Sequence, residues 1–207
     1  MNYITNDDTI IFNSDYDDKL DIELISGYKK LIFSDYELNK KLFEYYANDD
    51  FYVLEYGESK FNNFDVFEYI GDKFNNNISK LPHGLTHLRF GRCFNKGVSE
   101  LPLSLTYLIF GYWFNQYVSK LPPSLTHLIF GYEFNQDVSN LPHGLTHLTF
   151  GNYFNQDISK LPQGITHLTF GTHFNQNVSI LPPFLTHLTF GSLFNQDVSK
   201  LSKGITN

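Results

Sequence analysis

Seven leucines, Leu81, Leu101, Leu121, Leu141, Leu161, Leu181 and Leu201, fall 20 residues apart, and a proline follows each of the first six. A fixed period without insertions limits the fold more than any composition does. The unit at 121–140 reads LPPSLTHLIFGYEFNQDVSN, and six such units fill 81–200. Each unit must therefore make one geometrically equivalent turn. In LTHLIFG, apolar Leu125, Leu128 and Phe130 bracket polar or variable Thr126, His127 and Ile129. The two-residue step from Leu128 to Phe130 is that of a short strand with one buried face. Gly131 ends the strand, while Phe134 and Val138 supply further inward side chains. Pro122 opens the return segment, where a missing N–H does least harm. A unit this short holds one strand and no long helix. It cannot bury its apolar side alone, but stacked units can, with their strands in a parallel ladder ~4.8 Å apart. The expected fold is a β-rich solenoid of 20-residue turns carrying one parallel β-sheet.

The pattern LxxLxF followed by Phe-Asn resembles a short leucine-rich repeat. In its longer form, LPxxLTHLxFGxxFNQ is similar to the FNIP repeat family, named for a Phe-Asn-Ile-Pro signature and found in amoebae and their large DNA viruses. The resemblance covers 81–200 and is carried by Leu-Pro, Leu-Thr-His-Leu, Phe-Gly and Phe-Asn-Gln. The chain departs from the family in two ways. Pairs such as Gln136–Asp137 replace Ile-Pro, and the unit is short for the family. The resemblance implies a leucine-rich-repeat-like stack and supports binding in general, naming no partner. Some members carry an F-box ahead of the repeats, which would imply a ubiquitin-ligase adaptor. Residues 1–45 lack an F-box pattern, although Leu38, Leu42, Phe43 and Tyr46 have the spacing of one short helix face.

Ahead of the regular units the repeat decays. Residues 26–39 place Leu31 and Phe33 as Leu88 and Phe90 are placed, 51–63 repeat Leu, Tyr, Gly and Phe-Asn with one extra residue, and 67–80 run into the first regular unit. Three degenerate turns preceded by a lead-in strand or cap at 1–23 are expected in 1–80, and 201–207 form a truncated last turn. Terminal repeats are atypical because one of their faces meets water. Charge follows this division. Residues 1–80 hold 17 Asp/Glu against 8 Lys/Arg, whereas 81–207 hold 5 against 7. An acidic end discourages promiscuous pairing at a sheet edge. The net charge of −7 argues against nucleic acid or an acidic membrane as partner. No stretch approaches the ~20 apolar residues of a membrane span, and no basic start precedes an apolar run. The single cysteine, Cys93, excludes an internal disulfide and fits a reducing compartment. The cytoplasm is expected, that of the host if the protein is viral.

In a solenoid, equivalent positions become columns. Phe90 to Phe190 and Phe94 to Phe194, each at the repeat interval, read as core spines. Asn95, Asn115, Asn135, Asn155, Asn175 and Asn195 read as a structural ladder, in which each amide can pass a hydrogen bond to the next turn. His87, Tyr107, His127, His147, His167 and His187 fall on the outward strand face. They are expected to stack beside the column Thr86 to Thr186, rather than to bind metal, because a flat row does not supply tetrahedral ligands. Protonating such a row sets like charges side by side, so the fold should weaken in acid.

Two columns vary while the scaffold repeats. They are Arg92, Tyr112, Tyr132, Asn152, Thr172 and Ser192, then Cys93, Trp113, Glu133, Tyr153, His173 and Leu193. Tyr112, Trp113 and Tyr132, clustered near Tyr107, are the expected anchors of a binding patch shared with His127, His147, His167 and His187. No GxSxG, P-loop, HExxH or CxxC motif is present, so no catalytic residue, cofactor or metal ligand is expected. The first reading of function is a non-enzymatic scaffold that binds a protein partner through the exposed strand face. The second is a self-assembling structural component, of a virus particle or factory, joined end to end as a homodimer or longer stack.

Overall fold

The computed structural model describes residues 3–6, 9–12, 25, 28, 30–33, 75–78, 81–201 and 205. Among the described residues nine strands form one sheet in chain order: β1 (Tyr3–Asn6), β2 (Thr9–Phe12), β3 (Lys30–Phe33), β4 (His87–Arg89), β5 (Tyr107–Ile109), β6 (His127–Ile129), β7 (His147–Thr149), β8 (His167–Thr169) and β9 (His187–Thr189). β1 and β2 pair antiparallel, and every later pair is parallel. From β4 to β9 the register advances by one whole repeat per rung, as His127↔His147, Leu128↔Leu148 and Ile129↔Thr149 show. The solenoid with one parallel sheet is thus observed.

One rung shows why these residues coil. The Leu125 N–H donates to the Pro122 carbonyl and the Phe134 N–H to the Gly131 carbonyl, closing a tight turn on each side of the strand. Between and beyond these turns Leu121, Leu125, Leu128, Phe130, Phe134 and Val138 all point into the core, each at most 8% exposed. Within a rung, the Phe130 and Phe134 rings stack at 3.7 Å, and Phe130 reaches Phe150 of the next rung at 5.6 Å. The core is therefore two continuous Phe spines flanked by aliphatic columns. Each large ring buries enough apolar surface to contribute about 2–3 kcal/mol.

Two further seams join the rungs where the strand stops. At the glycine column the backbones touch: a Cβ placed on Gly131 would overlap the Gly111 carbonyl, and Gly111, Gly151, Gly171 and Gly191 meet the same obstacle. Glycine is required by the close approach of successive chains, beyond any need to end the strand. At the asparagine column the Asn135 N–H donates to Asn115 Oδ1 (3.0 Å), and the Gln136 side-chain amide donates to the same oxygen (2.9 Å). The ladder runs from Asn75 to Asn195 with backbone-to-side-chain distances of 2.9–3.1 Å. Most of its amides are half-buried, and Asn155 and Asn195 are exposed.

The start of the stack departs from a simple series of turns. β3 pairs directly with β4, Leu31 opposite Leu88, as the alignment of 26–39 with the repeat expects. Asn75 nevertheless accepts from the Asn95 N–H, and Ile78 is buried in the same core. The rung beneath the first regular repeat is therefore assembled from two stretches, 30–33 for its strand and 75–78 for its asparagine seam. The lead-in at 1–23 contributes a hairpin, β1 and β2, rather than a single strand. The turn expected at 51–63, the helix face of Leu38, Leu42, Phe43 and Tyr46, and most of 67–80 lie outside the described residues. So does most of the truncated turn at 201–207, of which Leu201 and Ile205 pack against the core. Among the described residues no helix is long and apolar enough to cross a membrane.

Candidate functional site

The outward strand face carries the histidine row. Strand alternation turns Leu128 inward and His127 outward, where it is half-buried by its neighbours on either side. Rings stack from His87 to Tyr107 (4.4 Å), Tyr107 to His127 (4.0 Å), His127 to His147 (4.2 Å), His147 to His167 (4.2 Å) and His167 to His187 (4.1 Å). All these planes lie within 14° of parallel. The stacked arrangement expected from the sequence is present, and Tyr107 fits it as well as imidazole does.

The threonine beside each ring fixes its orientation. Thr126 Oγ1 lies 3.1 Å from the Thr106 carbonyl and 2.8 Å from His127 Nδ1. A hydroxyl has one proton, and the Thr106 carbonyl can only accept it. His127 Nδ1 must then donate to Thr126 Oγ1, which leaves Nε2 as an acceptor. The Tyr107 hydroxyl, 3.4 Å from His127 Nε2, is placed to donate there. The same Thr–His pairing recurs at 146–147, 166–167 and 186–187. Burial lowers the pKa of His127 to about 4, and the neighbouring His147, His87 and His167 push it the same way. His147 is also lowered to about 4, by burial first and then by His167 and His187, and His167 is lowered for the same reasons. At neutral pH His127, His147 and His167 are therefore uncharged members of a shelf of stacked rings. Among the described residues no group of His, Cys, Asp and Glu could hold a metal ion.

A second aromatic row follows the glycines, at the corner where each rung leaves the sheet. The Glu133 N–H donates to the Tyr112 carbonyl and the Tyr153 N–H to the Tyr132 carbonyl, so the backbone here is laddered as firmly as the strand. Tyr112 and Tyr132 stack at 4.6 Å. Trp113 meets Tyr112 edge-on at 4.8 Å, Tyr153 meets Tyr132 edge-on at 5.1 Å, and Tyr153 stacks on His173 at 4.7 Å. The Arg92 guanidinium covers Tyr112 at 4.8 Å. Tyr112, Trp113 and Tyr132 are thus brought together as the sequence suggests, whereas Tyr107 is built into the other row. Trp113 is 46% exposed and Tyr153 41%, so the ribbon is fixed in place yet open. Sequence reading missed Tyr153 and Glu133 as members of this patch. They sit in a column that varies from turn to turn, and only the ring contacts show which of its residues cooperate.

The fold and its outer rows define a leucine-rich-repeat-like β-solenoid. The FNIP Repeat family model matches residues 114–153 and 137–173. A circular leucine-rich-repeat protein of known crystal structure, CroV588, is similar over 64% of this chain at 50% identity, with a TM-score of 0.58. The chain covers 21% of that protein's length. A search of curated proteins found no match. The rungs across 114–173 match the FNIP repeat, and the stack they belong to is leucine-rich-repeat-like.

Proposed function

We propose that the chain is a non-enzymatic scaffold that binds a protein partner through its outer strand face and the adjoining aromatic corner. The observation that carries this reading is the ribbon of Tyr112, Trp113, Tyr132 and Tyr153, locked ring against ring while Trp113 and Tyr153 stay exposed. Rigid aromatic side chains lose little freedom on binding, which makes them the usual anchors of an interface. The histidine row with Tyr107 (His127, His147, His167 and His187) offers a flat shelf of stacked rings beside them.

The test is affinity capture with the wild type, Tyr112→Ala and Trp113→Ala side by side. A partner retained by the wild type and lost by both variants, with their melting temperatures held, supports the reading. Equal capture by all three refutes the role of the ribbon. Oligomers that grow with concentration when no partner is present would favour assembly through the solenoid ends instead.

A further inference from the structure

We propose that the face of the β9 rung turned away from β8 is a contact between two copies of this chain, related by a two-fold axis. Inside the stack every rung is covered by the next. Phe90 to Phe170 and Phe94 to Phe174 are buried, and the N–H of each phenylalanine from Phe90 to Phe170 donates to a carbonyl of the following rung. At the β9 rung this changes. Phe190 and Phe194 are only half-buried, and Val198 is exposed although its counterparts from Val98 to Val178 are buried. Among the described residues nothing accepts from the Phe190 N–H. A groove of about 300 Å³ opens at the Leu-Pro corner, and its walls include Ile180, Leu181, Pro183, Leu185, Leu201 and Ile205.

A stack that merely stopped would expose its spines and nothing more. Here two columns that are otherwise polar or small turn apolar as well. The column of Ile180 holds Lys, Glu or Asn in every other rung from Lys80 to Lys200, and the column of Phe184 holds Gly or Ser from Gly84 to Gly204. Ile180 is 63% exposed and Phe184 66%. Large apolar side chains gathered at the surface mark a contact. The molecule shows five times what covers such a face, namely another rung of the same repeat. The opposite end of the chain does not match it. That end is closed by the antiparallel hairpin of β1 and β2, and 1–80 hold 17 acidic against 8 basic residues. The like end of a second copy is apolar, and 81–207 hold 5 acidic against 7 basic residues, so two such ends meet without strong repulsion. A patch that meets itself closes at two. Phe184 adjoins Pro183 and Leu185 of the groove, so each copy carries a projecting ring beside the hollow that receives its partner's. The ribbon of Tyr112 to Tyr153 lies in earlier rungs and stays open in both copies.

Sedimentation equilibrium of the full chain over a wide range of concentration tests the contact. A monomer–dimer equilibrium that stops at two is expected. The double variant Ile180→Lys and Phe184→Ser gives each position a residue that other rungs hold there, so the rung still folds. It should weaken dimerisation at least about tenfold, with the circular dichroism spectrum unchanged. Leu103→Ser, which removes an exposed apolar side chain near the other end of the regular rungs, should leave the dimer intact. The proposal is overturned by a monomer at every concentration, by growth past two, by a double variant that dimerises as tightly as the wild type, or by an equal loss in Leu103→Ser. A chain that stays monomeric yet captures a partner through Trp113 would remove this contact and leave the scaffold standing.

Discussion

The columns that repeat in every rung and the columns that vary behave as two different materials. The repeating ones, glycine, asparagine and histidine with its threonine, have their polar groups or their space taken up by the rung before or after. The varying ones, Arg92 to Ser192 and Cys93 to Leu193, keep their backbone in the ladder and leave their side chains half-buried or exposed, although Asn152 Oδ1 is buried. A position that must satisfy its neighbour can change only to a side chain that makes the same contact, as Tyr107 does in the histidine row. A position that only rests on its neighbour is free to carry recognition.

Substitutions should therefore divide by column. The largest loss is expected at the glycines. Gly131→Ala drives a methyl group into the Gly111 carbonyl, and neither backbone can withdraw without breaking the ladder. A destabilisation of about 3 kcal/mol or more, read by chemical denaturation, should follow. A variant as stable as the wild type would show that the rungs can part there.

Asparagine comes next. Asn135 Oδ1 accepts from both the Asn155 N–H and the Gln156 amide, so Asn135→Ala strands two donors at once. A loss of about 1–3 kcal/mol is expected, tempered because this seam reaches solvent. Gln136→Ala removes one donor and leaves water to replace it, at a cost of about 0.5–1 kcal/mol. Equal melting temperatures for the two variants would contradict the order of the seam.

Acid should act on the histidine row between these extremes. His127 and His147 titrate at about 4 in the fold against 6.5 for an ordinary imidazole. The unfolded chain therefore takes up protons first. Stability is full above about pH 7, falls as the pH drops from about 6.5 towards 4, and levels off below. Solvent screening of half-exposed rings limits the loss to about 1 kcal/mol per histidine. The double variant His127→Tyr and His147→Tyr, which extends the accommodation already made for Tyr107, should flatten the thermal stability profile over that range. A wild-type melting temperature that is constant from pH 7.5 to 4.5 would remove the coupling.

The smallest effect on stability is expected in the varying columns. Trp113→Ala takes away an exposed ring whose described ring contact is an edge against Tyr112. Its cost in denaturation should stay within about 0.5 kcal/mol, even as capture of a partner is lost.

The sequence by itself determined the rung. A period of 20 with apolar residues at fixed offsets leaves one way to close a core, and the Phe spines, the strand at His127–Ile129 and the asparagine ladder follow from it. Gln136 was visible in the same motif, but that it donates to the same oxygen as the Asn135 backbone depends on how one rung sits over the last. Only the tertiary structure decided that 30–33 and 75–78 share a rung, because no period joins stretches separated by so much chain. Only it showed why Gly131 must be glycine, and that Tyr153 reaches Tyr132. Spacing along the chain is a one-dimensional fact that a repeat converts into position. Contact between side chains of different rungs is set by distances that no spacing encodes.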